Sequence, residues 1–390
     1  MQQIVIVGGG AVGSSSAFHL ASHPRFKGRI TVVERDPTYR IASSSLSASS
    51  IRQQFSTPVN IAMSQYGLEF LRHGNDTLAV RGEKAQLGLL DRGYLFLATE
   101  AGMPVLRENH AVQKAAGADV AILSPGELKA RFPWINVDDV AGGSLGLAGE
   151  GWFDGPALLA AYRRKARSLG VEYIAQDATG FARAGDKVTG VKLADGSVLP
   201  CDIAVNAAGP WSARVAAFAG IDLPVRARKR MIYVFSCPDK LPGLPLLIDH
   251  PGYFVRPEGA GFLCGRSPDE GELDPDEPPL VVEDAMFNDI IWPQMAARIP
   301  ALENLRITGA WAGYYEYNIF DFNGVIGPHP AVPNLIFATG FSGHGMQHSP
   351  ATGRGVAELI AEGGFTSLDL SPLSFDRIVE GRPLIEQGIV

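Results

Sequence analysis

The chain has little that would connect it to nucleic acid, to an oxidising compartment or to the interior of a membrane. Only three of its 390 residues are cysteines, and no two of them form a CxxC pair. This scarcity argues against a disulfide framework and a zinc site, and it favours a reducing compartment such as the cytoplasm. No apolar run approaches the roughly 18 to 20 residues of a membrane span, and the first residues lack the charged region of a signal peptide.

Basic residues are also too few and too scattered for a nucleic-acid-binding surface. Lysine and arginine number 34 against 41 acidic residues, so the net charge is -7. Nucleic acid is therefore not expected as a partner. What remains, with 46% hydrophobic and 19% charged residues, is typical of a globular protein with a large core and about two domains.

The first 35 residues have the pattern of a nucleotide-binding βαβ unit. The run Ile4-Val5-Ile6-Val7 is typical of a central parallel strand that is covered on both faces. It leads directly into Gly8-Gly9-Gly10-Ala11-Val12-Gly13, a GxGxxG sequence, and a second apolar run ends at Glu34. A strand before the glycines, a helix after them and an acid at the right spacing together predict a dinucleotide site.

Each residue type in this motif has a physical reason. Gly8 permits the tight turn, Gly10 lets a pyrophosphate approach the backbone, and Gly13 lets the helix pack closely on the strand. The helix N-terminus attracts the phosphates, and Glu34 lies where a carboxylate accepts hydrogen bonds from the adenosine ribose. The motif does not separate FAD from NAD. Because the chain has no second GxGxxG, the electrons of a bound FAD would come directly from a substrate.

The rest of the chain predicts an α/β fold, α+β overall, with two interleaved domains. Alternating strand patterns in residues 223–321 predict an antiparallel sheet, and the last part of the chain returns to a strand, a glycine-rich turn and a helix from about Pro350. We assign residues 1–85, 150–222 and 322–375 to a Rossmann-like nucleotide-binding domain. Residues 86–149 and 223–321 form the antiparallel-sheet domain, and 376–390 form a C-terminal tail. Residues 43–50 are expected to be a loop, and the acidic residues 269–284 a solvated surface loop.

Three motifs in this order carry a resemblance to a known family. They are the GxGxxG turn with Glu34, the run Val205-Asn206-Ala207-Ala208-Gly209-Pro210-Trp211-Ser212, and the run Ala338-Thr339-Gly340-Phe341-Ser342-Gly343-His344-Gly345. With them the chain resembles the D-amino-acid oxidase superfamily of flavoproteins, especially its sarcosine-oxidase and dimethylglycine-dehydrogenase branch. Residues 51–56, 132–136, 150–154 and 311–315 are also similar to a mitochondrial group of FAD-dependent oxidoreductase domain proteins that assists the assembly of respiratory complex I.

The resemblance implies an FAD-binding domain joined to a substrate domain, with the flavin ring between the two. It implies that residues 340–347 lie along the ring, and that the N-terminus of the helix that opens near Pro350 points at the C2 carbonyl, where negative charge develops. The residues that it assigns to FAD binding are Gly8, Gly10, Ala11, Val12, Gly13, Glu34, Arg35, Ser44, Ser45, Ala208, Gly209, Trp211, Gly313, Gly340, Phe341, Gly343, His344, Gly345, Met346 and Gln347.

The substrate of such an enzyme is held by its carboxylate, which requires a guanidinium or ammonium group in a mostly apolar pocket. Arg52 matches the arginine that has this role in sarcosine oxidases, and a surface arginine is the alternative. Tyr315 and Tyr253 lie on strands that should border the ring, where they either line the pocket or only pack. His344 is expected beside the flavin and not as a general base, because hydride transfer from a deprotonated amine needs no strong protein base.

Two departures from the sarcosine-oxidase pattern change the expected chemistry. The cysteine that tethers FAD in that family matches Gly313, and the histidine that tethers it in dimethylglycine dehydrogenases matches nothing in residues 43–50, so FAD should be non-covalent. The lysine that promotes the reaction with oxygen matches Gln347, whose amide has no charge to stabilise superoxide. A dehydrogenase is therefore expected rather than an oxidase.

Two functions follow as hypotheses. In the first, the protein oxidises the C–N bond of a small amino acid or N-alkyl amino acid, similar to sarcosine, dimethylglycine or a D-amino acid. Hydride passes to flavin N5, the resulting imine is hydrolysed by water, and a protein or a quinone accepts the electrons. In the second, the protein is a flavin-containing assembly or interaction protein related to complex I assembly, in which FAD is mostly structural. No metal site is expected.

Overall fold

The computed structural model describes residues 1–268 and 274–387. Its strands, numbered in chain order, are β1 (Gln2–Val7), β2 (Gly28–Glu34), β3 (Ser50–Ile51), β4 (Leu90–Asp91), β5 (Tyr94–Ala98), β6 (Val120–Leu123), β7 (Gly142–Gly146), β8 (Gly151–Trp152), β9 (Glu172–Ala175), β10 (Ala178–Ala184), β11 (Lys187–Leu193), β12 (Val198–Pro200), β13 (Ile203–Asn206), β14 (Val225–Ser236), β15 (Leu246–Ile248), β16 (Tyr253–Glu258), β17 (Gly261–Arg266), β18 (Arg306–Asn318), β19 (Val325–His329) and β20 (Val332–Thr339).

The α-helices are α1 (Ala11–Ala21), α2 (Ser43–Leu46), α3 (Pro58–Thr77), α4 (Met103–Ala115), α5 (Pro125–Arg131), α6 (Gly155–Ser168), α7 (Ser212–Ala217), α8 (Trp292–Arg298), α9 (Gly345–Glu362) and α10 (Asp376–Val379). Short 3₁₀ turns span Gly209–Trp211, Pro300–Asn304 and Ser371–Leu373, and a π-helical turn, Met286–Ile291, leads into α8. No helix among these described residues is long and apolar enough to cross a bilayer.

The first large sheet has the strand order β19-β20-β13-β1-β2-β9, with β19 antiparallel to an otherwise parallel set. Its central strand β1 is covered on both faces, as its unbroken apolar run predicted. Ile4 and Ile6 pack with residues of α1, α3, α6 and α9, whereas Val5 and Val7 pack with the small sheet β10-β11-β12 and with α7. This is a Rossmann-like domain, and the GxGxxG turn lies at the carboxyl end of its central strand.

The second large sheet has the strand order β18-β14-β17-β16-β15-β5-β7-β6, and its strands are antiparallel except for the β15–β5 pair. Its core packs against α5, the π-helical turn and α8. The first sheet draws its strands from residues 2–34, 172–206 and 325–339, and the second from 94–146 and 225–318. The two sheets therefore alternate along the chain, and the predicted fold class is confirmed.

The sheets meet where β18 passes the turn that follows β20. The backbone N–H of Ser342 in that turn donates to the carbonyl of Glu316 on β18 at 3.0 Å. The hydroxyl of Ser43 on α2 donates to the carbonyl of Tyr314 at 2.5 Å. Residues 43–50, expected to be a loop, thus contain α2 and the start of β3, and α2 packs against β18.

The last long helix begins five residues earlier than predicted, at Gly345 and not near Pro350. Pro350 lies inside α9, where it has no N–H to give to the carbonyl of Met346. The hydroxyl of Ser349 donates to that carbonyl instead, at 2.9 Å. A local side-chain donor therefore lets the helix continue through a residue that usually marks a helix start.

The segment expected to be a C-terminal tail is packed into the protein over its described part, residues 376–387. Arg377 on α10 is buried and pairs with Asp321 at 2.6 Å. Glu386 is also buried, and its carboxylate accepts hydrogen bonds from Thr57 at 2.6 Å and from Asn60 at 2.8 Å. Polar residues of this segment are therefore partners of buried groups far away in the chain.

The described part of the acidic segment lies in a surface loop, as predicted, but it is bound to the second sheet. Residues 269–273 lie outside the described residues. Residues 274–283, here called the acidic strap, lie beside β14 and pair with its basic side chains. Asp274 binds Arg230 through both carboxylate oxygens at 2.9 Å, and Asp276 lies 3.2 Å from Arg228. The strap is held because alternating cations on one strand match its carboxylates, so it is not a freely solvated loop.

Candidate active site

A cleft between the two sheets consists of three compartments that share walls. The first compartment lies at the GxGxxG turn, and the second lies at the turn between β20 and α9. The third compartment is bounded by the residues after β3 and by the second sheet. The first two share Ala11, Val12, Ser43, Ser44 and Glu316, and the last two share Ala48, Arg230, Ile232, Tyr315 and Gly343.

The glycines of the first turn have the geometry that the motif requires. Gly8 has a φ of +101°, and a Cβ there would lie 2.2 Å from the carbonyl oxygen of Ala207. A Cβ on Gly13 would lie 1.9 Å from the carbonyl oxygen of Gly8, so this glycine lets α1 pack on β1. At Gly10 an added Cβ would make one tight contact, with the hydroxyl of Ser44 at 3.3 Å, and would meet no backbone atom of another described segment within 4 Å. The turn therefore leaves room at Gly10, at the N-terminus of α1, for a phosphate.

The far end of the first compartment is suited to an adenosine. Glu34 lines it, and its carboxylate accepts hydrogen bonds from the N–H groups of Gly9 at 2.8 Å and Asp36 at 2.9 Å. Burial raises the pKa of this carboxyl group. Beside it the guanidinium carbon of Arg35 lies 3.6 Å from the centre of the Trp211 ring. The planar guanidinium and the indole ring together provide a flat surface for the adenine base. These residues fit the nucleotide half of FAD.

The second compartment receives the N-terminus of α9. Gly343, Gly345 and Met346 line it. Gly343 has a φ of +99°, and a Cβ there would lie 2.6 Å from the ring of Tyr315. Because α9 begins at Gly345, the positive end of its dipole lies at this compartment, and not five residues further on near Pro350 as predicted. The ring end of a flavin with developing negative charge fits here.

The third compartment contains a buried arginine. Arg52 is 3% exposed, and its guanidinium donates to the carbonyl of Gln54 and lies 2.9 Å from Nε2 of His344. The ring of Phe55 lies 4.1 Å from the guanidinium carbon. Among the described residues, no aspartate or glutamate oxygen lies within 4.0 Å of this guanidinium. A cation that is taken out of water without an anionic partner is suited to bind an anion.

His344 is neutral in this environment. Its pKa lies well below the ordinary value because burial disfavours the imidazolium, and the charge of Arg52 acts in the same direction. Since Nε2 accepts a hydrogen bond from the guanidinium, the proton of the neutral ring lies on Nδ1. His344 lines the third compartment, and its lowered pKa makes its imidazole a weak base.

The loop that carries Arg52 is held by a buried glutamate from β7–β8. Glu150 is 1% exposed, and its carboxylate accepts hydrogen bonds from the N–H groups of Gln53 at 2.6 Å and Gln54 at 3.1 Å and from the side-chain amide of Gln54 at 2.7 Å. Burial raises the pKa of Glu150 to about 7, and the hydrogen bonds and Arg52 oppose this shift. Glu150 thus holds the loop that carries Arg52.

Some predicted site residues do not line the three compartments. Tyr253 is fully buried in the core of the second sheet, and its hydroxyl donates to Asp249 at 2.8 Å. Strand alternation turns its neighbour Phe254 to the third compartment instead, so Tyr253 only packs, which is the second of the two alternatives for this residue. Tyr315 lines both the second and the third compartments, as predicted.

Gln347 is also placed differently from the prediction. It is absent from the described lining of the compartments, and its side-chain oxygen accepts the N–H of Arg52 at 2.9 Å. Gln347 therefore positions Arg52 and does not face the ring.

Three more of the predicted FAD residues do not line the first or second compartment. Phe341 belongs to the core of the first sheet, the N–H of Gly340 donates to Glu316, and Ser45 lines a neighbouring pocket.

Gly13 packs α1 on β1 and His344 lines the third compartment, and the other predicted FAD residues line the first or second compartment. They are Gly8, Gly10, Ala11, Val12, Glu34, Arg35, Ser44, Ala208, Gly209, Trp211, Gly313, Gly343, Gly345 and Met346. The sequence interpretation missed Glu150, Arg230 and Glu316. A buried acid can be suspected only where it interrupts an apolar pattern. Glu150 follows a glycine turn and has no such signal, whereas Glu316 lies within the aromatic strand β18.

Comparisons with known proteins agree with this geometry. A family model described as "FAD dependent oxidoreductase" matches residues 3–359. The chain is 46% identical to the FAD-dependent oxidoreductase domain-containing protein 1 of Xenopus laevis, over 99% of this chain and 84% of that protein. It is 28% identical to the mitochondrial dimethylglycine dehydrogenase of Mus musculus, over 95% of this chain and 44% of that protein. The crystal structure of L-proline dehydrogenase from P. horikoshii matches with a TM-score of 0.86 at 26% identity, covering 98% of this chain and 99% of that one.

Proposed function

This chain belongs to the family of FAD-dependent oxidoreductases, and from that membership we propose that it oxidises the C–N bond of a small amino acid or N-alkyl amino acid. FAD is its cofactor and, when bound, supplies the two-electron oxidant. The substrate gives up a hydride and an amine proton, and water hydrolyses the resulting imine. The observation that carries this proposal is the buried guanidinium of Arg52, which lies in the third compartment without a carboxylate partner among the described residues.

The proposed role of each residue follows from its position. Arg52 binds the substrate carboxylate, while Glu150 and Gln347 hold its loop. The apolar residues Ile232, Leu246 and Phe254 exclude water from the third compartment. The N-terminus of α9 stabilises negative charge at the second compartment, because its free N–H groups need no reorganisation during the reaction. The neutral His344 accepts a hydrogen bond from Arg52 and keeps its guanidinium oriented.

FAD attachment is proposed to be non-covalent. The described lining of the second compartment contains no cysteine or histidine, and Gly313 lies there where the resemblance implies a tethering cysteine. The cysteines Cys201 and Cys264 are buried elsewhere, in the cores of the two sheets. Acid precipitation is the check, because a covalent flavin stays in the protein pellet. All of the flavin should appear in the supernatant.

We propose a dehydrogenase, with a protein or a quinone as electron acceptor. Arg230 is the cation in the described lining of the second compartment, and its charge is already balanced by the bidentate pair with Asp274. A balanced cation stabilises superoxide poorly. Relatives of this chain are named both as dehydrogenases and as oxidases.

An anaerobic substrate screen tests the proposed function. Sarcosine, dimethylglycine, L-proline, glycine and D-amino acids are each mixed with the purified holoprotein, and bleaching of the oxidised flavin band is followed. We expect at least one of these compounds to bleach the flavin. A flavin that stays oxidised with all of them, although dithionite reduces it, would contradict the enzyme proposal and favour an assembly or interaction protein.

A further inference from the structure

Glu316 is a buried acid at the boundary between the first and second compartments. It lines both of them, and its Oε2 accepts hydrogen bonds from the hydroxyl of Thr339 at 2.8 Å and from the N–H of Gly340 at 2.9 Å. Its Oε1 lies beside Gly345, where a Cβ would approach it to 2.8 Å. The carboxyl group is therefore held in place from the β20–α9 turn.

The position of Glu316 relative to the cofactor follows from the two compartments. The nucleotide half of FAD fits the first and the ring end fits the second, so the ribityl and pyrophosphate groups must cross the boundary between them. Ala11 and Ser44 line the same boundary at the N-terminus of α1, which attracts the phosphates. With FAD bound in this way, Glu316 would face the linker that carries the two phosphates.

No cation is placed to balance a charge on Glu316. Among the described residues, no lysine, arginine or histidine nitrogen lies within 4.0 Å of its carboxylate. An ionised carboxylate in this position would be desolvated and would repel the phosphates as well. The uncharged acid avoids both costs, keeps an acceptor oxygen and gains an O–H donor.

We propose that Glu316 faces the FAD linker as an uncharged carboxylic acid, so that FAD binding above about pH 7 is accompanied by the uptake of a proton. Burial already raises the pKa of Glu316 to about 7, against the opposing effect of the N–H groups of Gly340 and Phe341 and the Thr339 hydroxyl. The nearby phosphates favour the protonated form further. FAD should therefore bind more weakly as the pH rises above about 7.

Other titratable groups line the same two compartments and must be separated from Glu316. The charged ones are Glu34, Arg35, Asp36, Asp177, Arg214 and Arg230. Glu34 is the main competitor, because burial raises its pKa too. The pKa of Asp36 is lowered by its hydrogen bond from Thr38. Burial raises the pKa of the tyrosines Tyr39, Tyr314 and Tyr315, so these three stay neutral in this range.

The test is the dissociation constant of FAD as a function of pH. Holoprotein is diluted at pH values from 6 to 8.5, and the fluorescence of released FAD is measured. In the parent protein the dissociation constant should rise above pH 7, approaching tenfold per pH unit. In Glu316→Gln, which cannot ionise, it should stay flat and as low as in the parent protein at pH 6.

Glu34→Gln is the matched control, because it removes the other buried acid of the cleft. This variant should keep the slope of the parent protein, whatever its affinity. A flat profile in the parent protein, an unchanged slope in Glu316→Gln, or a slope that is lost in Glu34→Gln would each overturn the proposal. If Glu316→Gln does not fold, the parent protein and Glu34→Gln decide by the same criteria. The readout requires no catalytic activity, so it is independent of the proposed reaction.

Discussion

Arg52 is the single residue on which substrate recognition depends in the proposed function. Its burial, its neutral neighbour His344 and the apolar ring of Phe55 make a poorly hydrated cation. Such a group binds a carboxylate strongly only if its loop stays in place, because a displaced guanidinium loses the two-pronged geometry. Recognition therefore rests on Arg52 together with the two groups that hold it, Glu150 and Gln347.

Replacement of Arg52 should lower kcat/KM without loss of flavin. We expect Arg52→Ala to lose about 2–4 kcal/mol of transition-state stabilisation, roughly 30- to 700-fold, since a buried partner of the carboxylate is removed. Arg52→Lys should recover only part of this, because an ammonium group cannot form the fork. Steady-state kinetics with a substrate from the screen, at equal flavin content, measures the effect. Unchanged kinetics in Arg52→Ala would exclude this residue from the site.

Glu150 should leave a signature in the pH dependence of stability. Its pKa is about 7 in the folded protein against an ordinary value of 4.5, so the folded state keeps a proton that the unfolded chain has released. The contribution of Glu150 to the free energy of unfolding therefore falls as the pH rises from about 4.5 through 7. Glu150→Gln cannot titrate, so its stability relative to the parent protein should improve from pH 5 to about 7 and level off by pH 8, as measured by denaturant unfolding.

Glu358 provides a control because its pKa is shifted in the opposite direction from that of Glu150. It is buried in α9, and its pKa is lowered to about 2. Between pH 5 and 8 it is ionised in both states, so the destabilisation by Glu358→Gln should not depend on pH in this range. A pH-independent difference for Glu150→Gln as well would show that Glu150 does not titrate between pH 5 and 8.

At the scale of elements, two glycines of the β1–α1 turn have different roles. Gly10 is required for cofactor binding and Gly13 for folding. Gly10→Val should abolish flavin retention while the fold survives, because a Cβ at Gly10 meets only the Ser44 hydroxyl at 3.3 Å and the added atoms fill the phosphate position. Gly13→Val should fail to fold, since its Cβ would overlap the Gly8 carbonyl at 1.9 Å. Flavin absorbance and circular dichroism of the two variants check this. Yellow Gly10→Val protein would contradict the assignment.

The start of α9 depends both on the local sequence pattern and on tertiary contacts. Its residues 350–361 have a helical pattern in the sequence, and Pro350 is typical of a first turn. The turns before Pro350 form because Ser349 supplies a hydroxyl to the Met346 carbonyl and because Met346 and Gln347 pack into the cleft wall and the Arg52 loop. Tertiary contacts thus move the positive end of the helix dipole to the second compartment.

At the scale of the whole molecule, the acidic strap connects the second sheet with the cofactor cleft. Asp274 balances Arg230 in the wall shared by the second and third compartments. Glu277 accepts a hydrogen bond from the indole of Trp211 at 2.8 Å, at the edge of the first compartment. The strap therefore influences the electrostatics of the ring position from the outer side of β14.

Release of Arg230 from this pair should speed the reaction of the reduced protein with oxygen. Asp274→Asn leaves the guanidinium unbalanced, and a cation beside the ring stabilises superoxide, with about 1.4 kcal/mol for each tenfold gain in rate. Stopped-flow mixing with aerated buffer should show slow reoxidation of the parent protein, quick reoxidation by a quinone, and at least a tenfold faster oxygen reaction in Asp274→Asn. Asp276→Asn, on the exposed part of the strap, is the control. Fast reoxidation of the parent protein would contradict the dehydrogenase proposal.

The sequence by itself determined the features that depend on local pattern. A continuous apolar strand, a GxGxxG turn and an acid at the end of β2 follow from a few neighbouring residues, since strand burial, turn geometry and helix dipoles act over a short stretch of chain. The same holds for the glycine-rich turn after β20, and with it for the fold class and the dinucleotide site. The choice of FAD, its expected contacts and the role expected for Arg52 came instead from the resemblance of these motifs to a known family.

Only the tertiary structure decided which groups the buried carboxylates contact. Glu150 holds a loop 96 residues away, Glu386 binds residues up to 330 positions away, and Glu316 reaches the cofactor boundary through the pairing of β18 with the β20 turn. An isolated carboxylate has no periodicity, and its partners are set by the packing of distant elements. Sequence patterns assign such residues to the surface, because burial of a charge is favourable only when the folded protein supplies donors, a counter-ion or a proton.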